Sequence, residues 1–349
     1  MNSGNEREKT KPWDAVDWIK GNVETRESDP VEFLYDRMES QSGECLPVIY
    51  LPFDGTKRGH FADRGRILDF AAVVGAGRIL DFGPGDGWPS LLLAPLVKEV
   101  AGVDGSARRV EVCRRNAERL GIGNARFLHV PAGEPLPFED DSFDGVVAAT
   151  SIEQTPDPKA ALEELHRVLK PGGRLRFGYE SLSAYRGGRE REIMLGWEDT
   201  KPNRLVIFDR GIEEETVRHY GLSLDLSLAD IRDLFAREES KPCYAGLTPA
   251  ILEAMHKHLV EGVTWTTRHP SCRTYLRWMN EIGFRSATPT HDGGTFAGKL
   301  FDRLRESQHP KMLEGVDELL RPVVEVAVCL EAPSVAPARE WEPMITGVK

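Results

Sequence analysis

The stretch that most constrains the fold is a glycine-rich turn between two apolar runs. Residues 79–93 read ILDFGPGDGWPSLLL, with Gly83, Gly85 and Gly87 at alternate positions. Glycine accepts a positive φ and lets a ligand approach the main chain, where a Cβ would clash. The first N–H groups of a helix after such a turn lack helical partners and can meet polar ligand atoms. The stretch therefore predicts a strand, a ligand-binding turn and a helix.

Short apolar runs and amphipathic segments alternate between residues 78 and 180, which is typical of a parallel sheet covered by helices. The predicted strands are 78–82, 97–104, 125–130, 143–150 and 174–180. The predicted helices between them are 89–96, 107–120 and 158–169. The same texture returns later, with predicted helices at 271–284, 295–307 and 312–331 and predicted strands at 285–290 and 341–349.

Four segments follow from this pattern. Residues 1–28 are polar and are predicted to be mobile. Residues 29–180 are predicted to hold N-terminal helices and then the ligand-binding core. Residues 181–270 contain the helical patterns SLADIRDLFARE and TPAILEAMHKHLVEG without a strand–helix repeat, so an inserted helical cap that determines the substrate is expected there. Residues 271–349 are predicted to return to the core.

Composition excludes several classes of function. The net charge of −11, without any Lys/Arg-rich run, disfavours nucleic acid as a partner. No apolar run approaches the roughly 20 residues of a membrane helix, and the first residues do not resemble a signal peptide, so we expect no membrane contact and a cytoplasmic location. The cysteines show no Cys-x-x-Cys spacing, so neither a metal site nor a disulfide framework is expected. They are Cys45, Cys113, Cys243, Cys272 and Cys329.

Two ligand classes use a turn of this kind, dinucleotides and S-adenosylmethionine. The dinucleotide fingerprint places its third glycine where this chain has Trp88, and Asp86 would put a negative charge beside a pyrophosphate. Asp81, at the end of the first strand, can face the amino group and sulfonium of S-adenosylmethionine. Asp104 ends the second strand and can accept both ribose hydroxyls. An ordinary glycine-rich turn without a ligand is the alternative interpretation.

The segments ILDFGPGDG, GVDGS, LPFEDDSFD, IEQTPDP and RVLKPGG follow one another between residues 78 and 180. In these segments the chain resembles class I S-adenosylmethionine-dependent methyltransferases of the type 11 group, which includes ubiquinone and menaquinone biosynthesis methyltransferases. The resemblance implies an α/β fold with a Rossmann-like, seven-stranded mixed sheet, and PMITGVK resembles its last strand. N-terminal helices and the inserted helical cap would complete this fold.

The resemblance also implies where the cofactor lies. The glycine turn would hold the methionine part, Asp104 the ribose, and Gly105 and Ser106 the adenine. Ala132 stands where relatives offer an Asp to the adenine amino group, which leaves backbone groups near Ala132 and Gly133, or Glu134. The predicted cofactor-binding residues are Asp81, Phe82, Gly83, Gly85, Asp86, Gly87, Trp88, Asp104, Gly105, Ser106, Ala132, Gly133 and Ser151.

Methyl transfer from a sulfonium is an in-line displacement, which needs alignment and exclusion of water more than a dedicated base. Two candidate catalytic residues are Glu153, as a general base or substrate anchor, and His269, at the return to the core. A capping or solvent-facing acid is the other interpretation of Glu153. Gln154 stands where many relatives have His. The predicted substrate-binding residues are Tyr185, Arg186, His219, Tyr220, Trp265 and Arg268.

The predicted activity is methyl transfer from S-adenosylmethionine to an O-, N-, C- or S-nucleophile of a small molecule, giving S-adenosylhomocysteine, by a monomer or homodimer. A cofactor-binding protein without methyl transfer and a dinucleotide oxidoreductase are the rival hypotheses. A third rival is an arsenite methyltransferase that gathers Cys45, Cys243 and Cys272.

Overall fold

A computed structural model describes residues 13–36, 53–185, 191–195, 202–237, 247–306, 315–333 and 344–349. The described residues form two compact units. The smaller unit draws them from Met1–Asp29, Gly187–Gly211 and Val217–Thr266. The larger unit draws them from Pro30–Arg186, Ile212–Thr216 and Thr267–Lys349.

The elements are numbered along the chain. The strands are β1 Arg26–Glu27, β2 Arg78–Phe82, β3 Glu99–Asp104, β4 Ala125–His129, β5 Phe143–Ala149, β6 Leu169–Gly178, β7 Arg191–Leu195, β8 Asn203–Gly211, β9 Thr216–Leu224, β10 Leu259–Arg268, β11 Ser286–Thr290 and β12 Met344–Val348. The helices are α1 Ala15–Asn22, α2 Arg58–Val74, α3 Ser90–Leu93, α4 Ala107–Leu120, α5 Pro158–Val168, α6 Leu228–Arg237, α7 Pro249–His256, α8 Cys272–Ile282, α9 Gly293–Glu306 and α10 Val316–Cys329. Shorter helical turns cover Val31–Tyr35, Ala94–Leu96, Ile152–Gln154 and Leu182–Tyr185.

The larger unit is built on a seven-stranded sheet in the order β11-β12-β6-β5-β2-β3-β4. Strands β2 to β6 run parallel, whereas β12 is antiparallel to both β6 and β11. The chain adds strands on one side of β2 as far as β4 and then continues on its other side with β5, so the topological switch point lies between β2 and β5. In open α/β sheets, ligands bind at the carboxyl ends of the strands at this point. The predicted mixed sheet of seven strands is confirmed.

Local sequence explains the helices that cover this sheet. In α5, the Asp157 side chain accepts the N–H groups of Lys159 and Ala160 at 2.9 and 3.1 Å, which caps the helix start. The apolar positions Leu162 and Leu165 follow at helical spacing and are fully buried in the core against the sheet. The helix thus begins at a polar cap and persists because one face is apolar.

A buried ion pair connects the end of the sheet to α2. Arg176 on β6 and Asp69 on α2 are both 0% exposed, and the guanidinium donates to the two carboxylate oxygens at 2.7 and 2.8 Å. The guanidinium also donates to the hydroxyls of Thr290 on β11 and Thr346 on β12. One buried side chain therefore links three strands and a helix, and removing its partner would leave an uncompensated charge.

The smaller unit corrects the prediction of a helical cap over residues 181–270. Helices α6 and α7 lie where the helical patterns are, but β7 to β10 occupy most of the remaining described segment and form a five-stranded sheet in the order β1-β10-β9-β8-β7. Alternate residues of β8 and β9, such as Leu205, Ile207 and Leu222, pack into one core with α1, α6 and α7. Strands rather than helices therefore form most of this segment.

The prediction of a mobile segment over residues 1–28 is also wrong for the part that the structure describes. Asp14 caps α1 by accepting the N–H groups of Val16 and Asp17. Val16 and Ile19 then bury one face of the helix, and β1 pairs in parallel with β10. Two apolar residues at helical spacing thus suffice to order a segment that is polar on average.

Candidate active site

A cavity of about 520 Å³ lies at the carboxyl edge of β2, β3 and β5 in the larger unit. Its lining includes these predicted residues: Phe82, Gly83, Gly85, Asp104, Gly105, Ala132, Gly133 and Ser151. Five predicted cofactor residues are not part of this lining: Asp81, Asp86, Gly87, Trp88 and Ser106. The structure thus brings together eight residues from four separate loops of the sequence.

The glycine turn forms one wall of the cavity. Gly83 and Gly85 have φ values of +77° and +57°, in the left-handed region. A Cβ at Gly83 would lie 2.4 Å from the Cβ of Ser151, so the turn after β5 closes directly against it. A Cβ at Gly85 would meet none of the described atoms within 4 Å, which leaves room for a ligand against the main chain.

The carboxylate of Asp104 at the end of β3 also faces the cavity. Its Oδ2 accepts the N–H of Gly85 at 3.0 Å and its Oδ1 accepts the N–H of Ser106 at 2.9 Å. Burial raises the pKa of this carboxyl to about 6, although the two N–H groups act in the opposite direction. Each oxygen keeps a second lone pair, so the group can still accept two hydroxyls of a ligand.

Asp86 does not place an unpaired charge in the turn. It forms a close ion pair with Arg109 of α4, which itself lines the cavity. Trp88 packs with its ring edge towards Phe70 of α2, with ring centroids 6.2 Å apart, and belongs to the apolar layer under the turn. Gly87 has a φ of +112°, and a Cβ there would lie 2.5 Å from Leu91. These residues shape the turn from behind.

Asp81 is fully buried beneath the turn. Its Oδ2 accepts the N–H and the hydroxyl of Ser90 at 3.0 and 2.6 Å, which holds the start of α3. Its Oδ1 has no hydrogen-bond partner among the described residues. Burial raises the pKa of this carboxyl to about 7. The predicted contact of Asp81 with the cofactor stays a prediction, for which the unpartnered Oδ1 supplies an acceptor.

Three residues that were not predicted from the sequence belong to this site, two of them in the cavity lining. Tyr35, on the helical turn after Pro30, donates its hydroxyl to Gln154 at 3.2 Å, and both side chains line the cavity. Asp36 accepts the hydroxyl of Ser106 at 2.6 Å, which fixes this turn to the start of α4. The third is Arg109, the one cationic side chain among the described lining residues. Tyr35 and Asp36 lie 119 and 70 positions from their partners Gln154 and Ser106, so no local sequence pattern predicts these contacts.

Neither of the two catalytic candidates is among the residues that line the cavity. Glu153 is 0% exposed, and its Oε1 accepts the N–H of Glu180 at 2.8 Å. Burial raises the pKa of Glu153 to about 8, so this side chain is a neutral acid near pH 7. His269 is 5% exposed, with Nδ1 3.2 Å from the carbonyl oxygen of Glu180 and Nε2 3.0 Å from the hydroxyl of Thr267.

The predicted substrate-binding residues fall into both units. In the larger unit, the Tyr185 hydroxyl donates to Glu180 and the Arg268 guanidinium lies 4.7 Å from the ring centroid of Trp278. In the smaller unit, His219 stacks on Trp265 with ring planes 4° apart, whereas Tyr220 packs into the core with α1, α6 and α7. Arg186 lies outside the described residues.

The described residues contain no group of three His, Cys, Asp or Glu side chains arranged for a metal ion. Cys45 and Cys243, two of the three cysteines of the arsenite hypothesis, lie outside the described ranges, and Cys272 is buried in α8. Among the described helices, none combines the length and apolar character needed to cross a bilayer.

Comparison with known proteins supports the methyltransferase interpretation. Residues 80–177 match the family described as a methyltransferase domain. The uncharacterized methyltransferase YcgJ of Bacillus subtilis (strain 168) is 38% identical over 112 residues, or 32% of this chain and 44% of that protein. A demethylmenaquinone methyltransferase of Clavibacter sepedonicus is 41% identical over 104 residues, or 30% of this chain and 41% of that protein.

The chain thus spans less than half the length of these two curated relatives. A solved structure, the CcbJ methyltransferase from Streptomyces caelestis, aligns with a TM-score of 0.47 and 14% identity over 82% of this chain and 94% of that one. The matched residues contain the glycine turn, Asp104 and the turn after β5, which form the walls of the cavity. Residues 80–177, which carry these walls, are therefore similar to a methyltransferase domain.

Proposed function

We propose that this protein transfers the methyl group of S-adenosylmethionine to a small-molecule acceptor and releases S-adenosylhomocysteine. The observation that carries the proposal is the cavity between the glycine turn and the Asp104 carboxylate. Its volume of about 520 Å³ lies within the range of roughly 300–1,000 Å³ that is usual for small-molecule pockets.

The residues present fit the donor. Asp104 retains lone pairs for both ribose hydroxyls, and Gly85 leaves open space beside the main chain. Among the described lining residues of the cavity, four side chains are acidic and one, Arg109, is cationic. The acidic side chains are Asp104, Glu134, Asp157 and Glu164. This excess of negative charge favours a ligand that carries a sulfonium and an ammonium group.

The chain's own contribution to the reaction is alignment. Tyr35 and Gln154 hydrogen-bond to each other in the cavity lining, and the close approach of Gly83 and Ser151 fixes the turn on which the donor would rest. The donor is chemically activated when bound, because its methyl group is attached to a positively charged sulfur. Holding an acceptor in line is then the main requirement for rate.

The choice of acceptor rests on similarity alone. By their names, several relatives methylate demethylmenaquinone or take part in ubiquinone and menaquinone biosynthesis. A reduced quinone is therefore the first acceptor to test, although this chain covers only part of those proteins.

The test begins with titration calorimetry of the purified protein with S-adenosylmethionine and S-adenosylhomocysteine. Methyl transfer from labelled donor is then measured to a panel of quinols, phenols, amines, thiols and carboxylates. We expect binding of both nucleosides and transfer to at least one class. Absence of binding by folded protein would refute the proposal, and binding without transfer to any class would favour a cofactor-binding protein.

A further inference from the structure

The carboxyl end of β6 carries a second group of polar side chains, next to the turn after β5 that lines the cofactor cavity. Glu180 comes two residues after β6, beside the turn after β5 that lines the cavity. The N–H of Thr150 donates to the carbonyl of Gly178 at 3.0 Å, and the N–H of Glu180 donates to Glu153 at 2.8 Å. These bonds hold Glu180 at the same edge of the sheet as Thr150 and Ser151.

The Glu180 side chain is the accessible member of this group. It is 43% exposed, its Oε1 accepts the hydroxyl of Tyr185 at 2.5 Å, and its Oε2 lies 3.9 Å from Nδ1 of His269. No local sequence pattern marks Glu180, because its partners come from three separate segments of the chain.

His269 contacts the main chain of Glu180. Since a carbonyl oxygen can only accept, the 3.2 Å contact with the Glu180 carbonyl requires a proton on Nδ1. In the neutral ring, Nε2 then accepts the hydroxyl of Thr267. Both ring nitrogens are thus engaged and the ring is 5% exposed, so His269 is suited to positioning Glu180 rather than to removing a proton from a substrate.

Glu153 is an independent indication of a polar site. It is fully buried, and its Oε2 has no hydrogen-bond partner among the described residues. The hydroxyl of Tyr275, close enough for the Glu153 charge to raise its pKa, is likewise unpartnered within the described part of the chain. Burial and the neighbouring charge of Glu180 raise the pKa of Glu153. The two carboxyl groups also differ in access, because Glu153 is fully buried whereas the Glu180 side chain is 43% exposed and can meet a ligand.

Resting on the proposed methyl transfer, we propose that Glu180 is the catalytic base of this enzyme and that its acceptor is a hydroxyl compound. The acceptor oxygen forms a bond to the methyl carbon while the sulfur–methyl bond breaks and its electron pair stays on sulfur. The hydroxyl proton passes to the Glu180 carboxylate. Tyr185 holds that carboxylate, His269 holds the main-chain carbonyl of Glu180, and Glu153 holds the N–H of Glu180.

The test compares wild type with Glu180→Gln on phenols and aliphatic alcohols, with thiols and carboxylates as the other acceptors. A positioned base contributes roughly 100-fold or more to a rate. We expect transfer to a hydroxyl compound at a rate that falls at least about 100-fold in Glu180→Gln, with an unchanged dissociation constant for S-adenosylmethionine by calorimetry. The matched control is Glu281→Gln on α8, whose side chain is similarly exposed at 46% and pairs with Lys159 on the protein surface.

Transfer that occurs only to thiols or carboxylates, or that is equally fast in Glu180→Gln, would overturn this inference while leaving methyl transfer intact. Loss of cofactor binding in wild type would instead refute the proposed function itself. Transfer to no member of the panel by protein that binds the cofactor would also overturn the inference. His269→Asn adds a second readout, since a positioning role predicts a smaller loss of rate than Glu180→Gln at equal cofactor affinity.

Discussion

Replacement of Glu153 by glutamine measures how strongly the fold disfavours a charge at the end of β5. The side chain is fully buried, and burial raises its pKa from the ordinary value of 4.5 to about 8. Between these two pH values the folded protein binds a proton that the unfolded chain has released. The free energy of unfolding therefore falls as the pH rises through this range. Glutamine keeps an oxygen for the N–H of Glu180 and cannot ionise, so it removes this dependence.

The size of the effect follows from the two pKa values. A difference of about 3.5 units, from 4.5 to about 8, is equivalent to roughly 5 kcal/mol at 1.36 kcal/mol per unit. Between pH 5 and pH 8.5, ionisation of Glu153 should lower the free energy of unfolding of wild type by about 4 kcal/mol. We expect Glu153→Gln to be close to wild type in stability at pH 5 and several kcal/mol more stable at pH 8.5.

Urea unfolding followed by circular dichroism at both pH values measures this difference. Glu163→Gln on α5 is the control, because it also removes one carboxylate but from an exposed position. Its stability relative to wild type should change little with pH. A difference between Glu153→Gln and wild type that is the same at both pH values would refute the reasoning, as would a variant that is less stable at pH 8.5.

Three further outcomes are expected. Asp104→Asn should weaken S-adenosylmethionine binding about 10- to 100-fold, because charge-assisted hydrogen bonds contribute about 1.5–3 kcal/mol. Burial raises the pKa of Asp104 to about 6, so the affinity of wild type measured by calorimetry should fall as the pH drops through 6, whereas the affinity of the variant should not change. Gly83→Ala should lower the melting temperature, because a side chain at a φ of +77° costs about 1–2 kcal/mol and the new Cβ would lie 2.4 Å from the Cβ of Ser151. If adding Ser151→Gly to this variant restores none of the lost stability, the clash with Ser151 is not its cause. Asp69→Asn should reduce the free energy of urea unfolding by about 3–5 kcal/mol, because it leaves the charge of Arg176 buried and poorly paired, and a loss below 1 kcal/mol would contradict a buried pair.

The larger unit was predictable because its signals are local. Alternation of apolar runs with amphipathic segments marked each parallel strand and its helix, and strands β2, β3 and β5 lie within or match the predicted segments to within two residues at either end. The glycines of the first turn gave the cavity wall, because a positive φ at Gly83 and Gly85 is a property of residue type as much as of context.

The smaller unit was mispredicted because its strands hide their period. Residues 203–207 at the start of β8 are buried on both faces, so the run Asn-Arg-Leu-Val-Ile carries no clear alternation. A short apolar run of this kind cannot be separated from a buried helical segment by periodicity alone. The antiparallel pairing of β8 with β7, which lies eight or more residues earlier in the chain, decides the outcome.

The side chains of the site show the same division. Sequence by itself determined that an acid would end β2 and another would end β3, and that glycines would lie between them, because these are consecutive features of one strand–turn–helix unit. Only the tertiary structure decided that Asp104 faces the cavity while Asp81 holds Ser90, and that His269 supports Glu180. The physical reason is that a side chain's role depends on which distant groups satisfy its hydrogen bonds. His269 and Glu180, for example, contact each other although they are 89 positions apart in the chain.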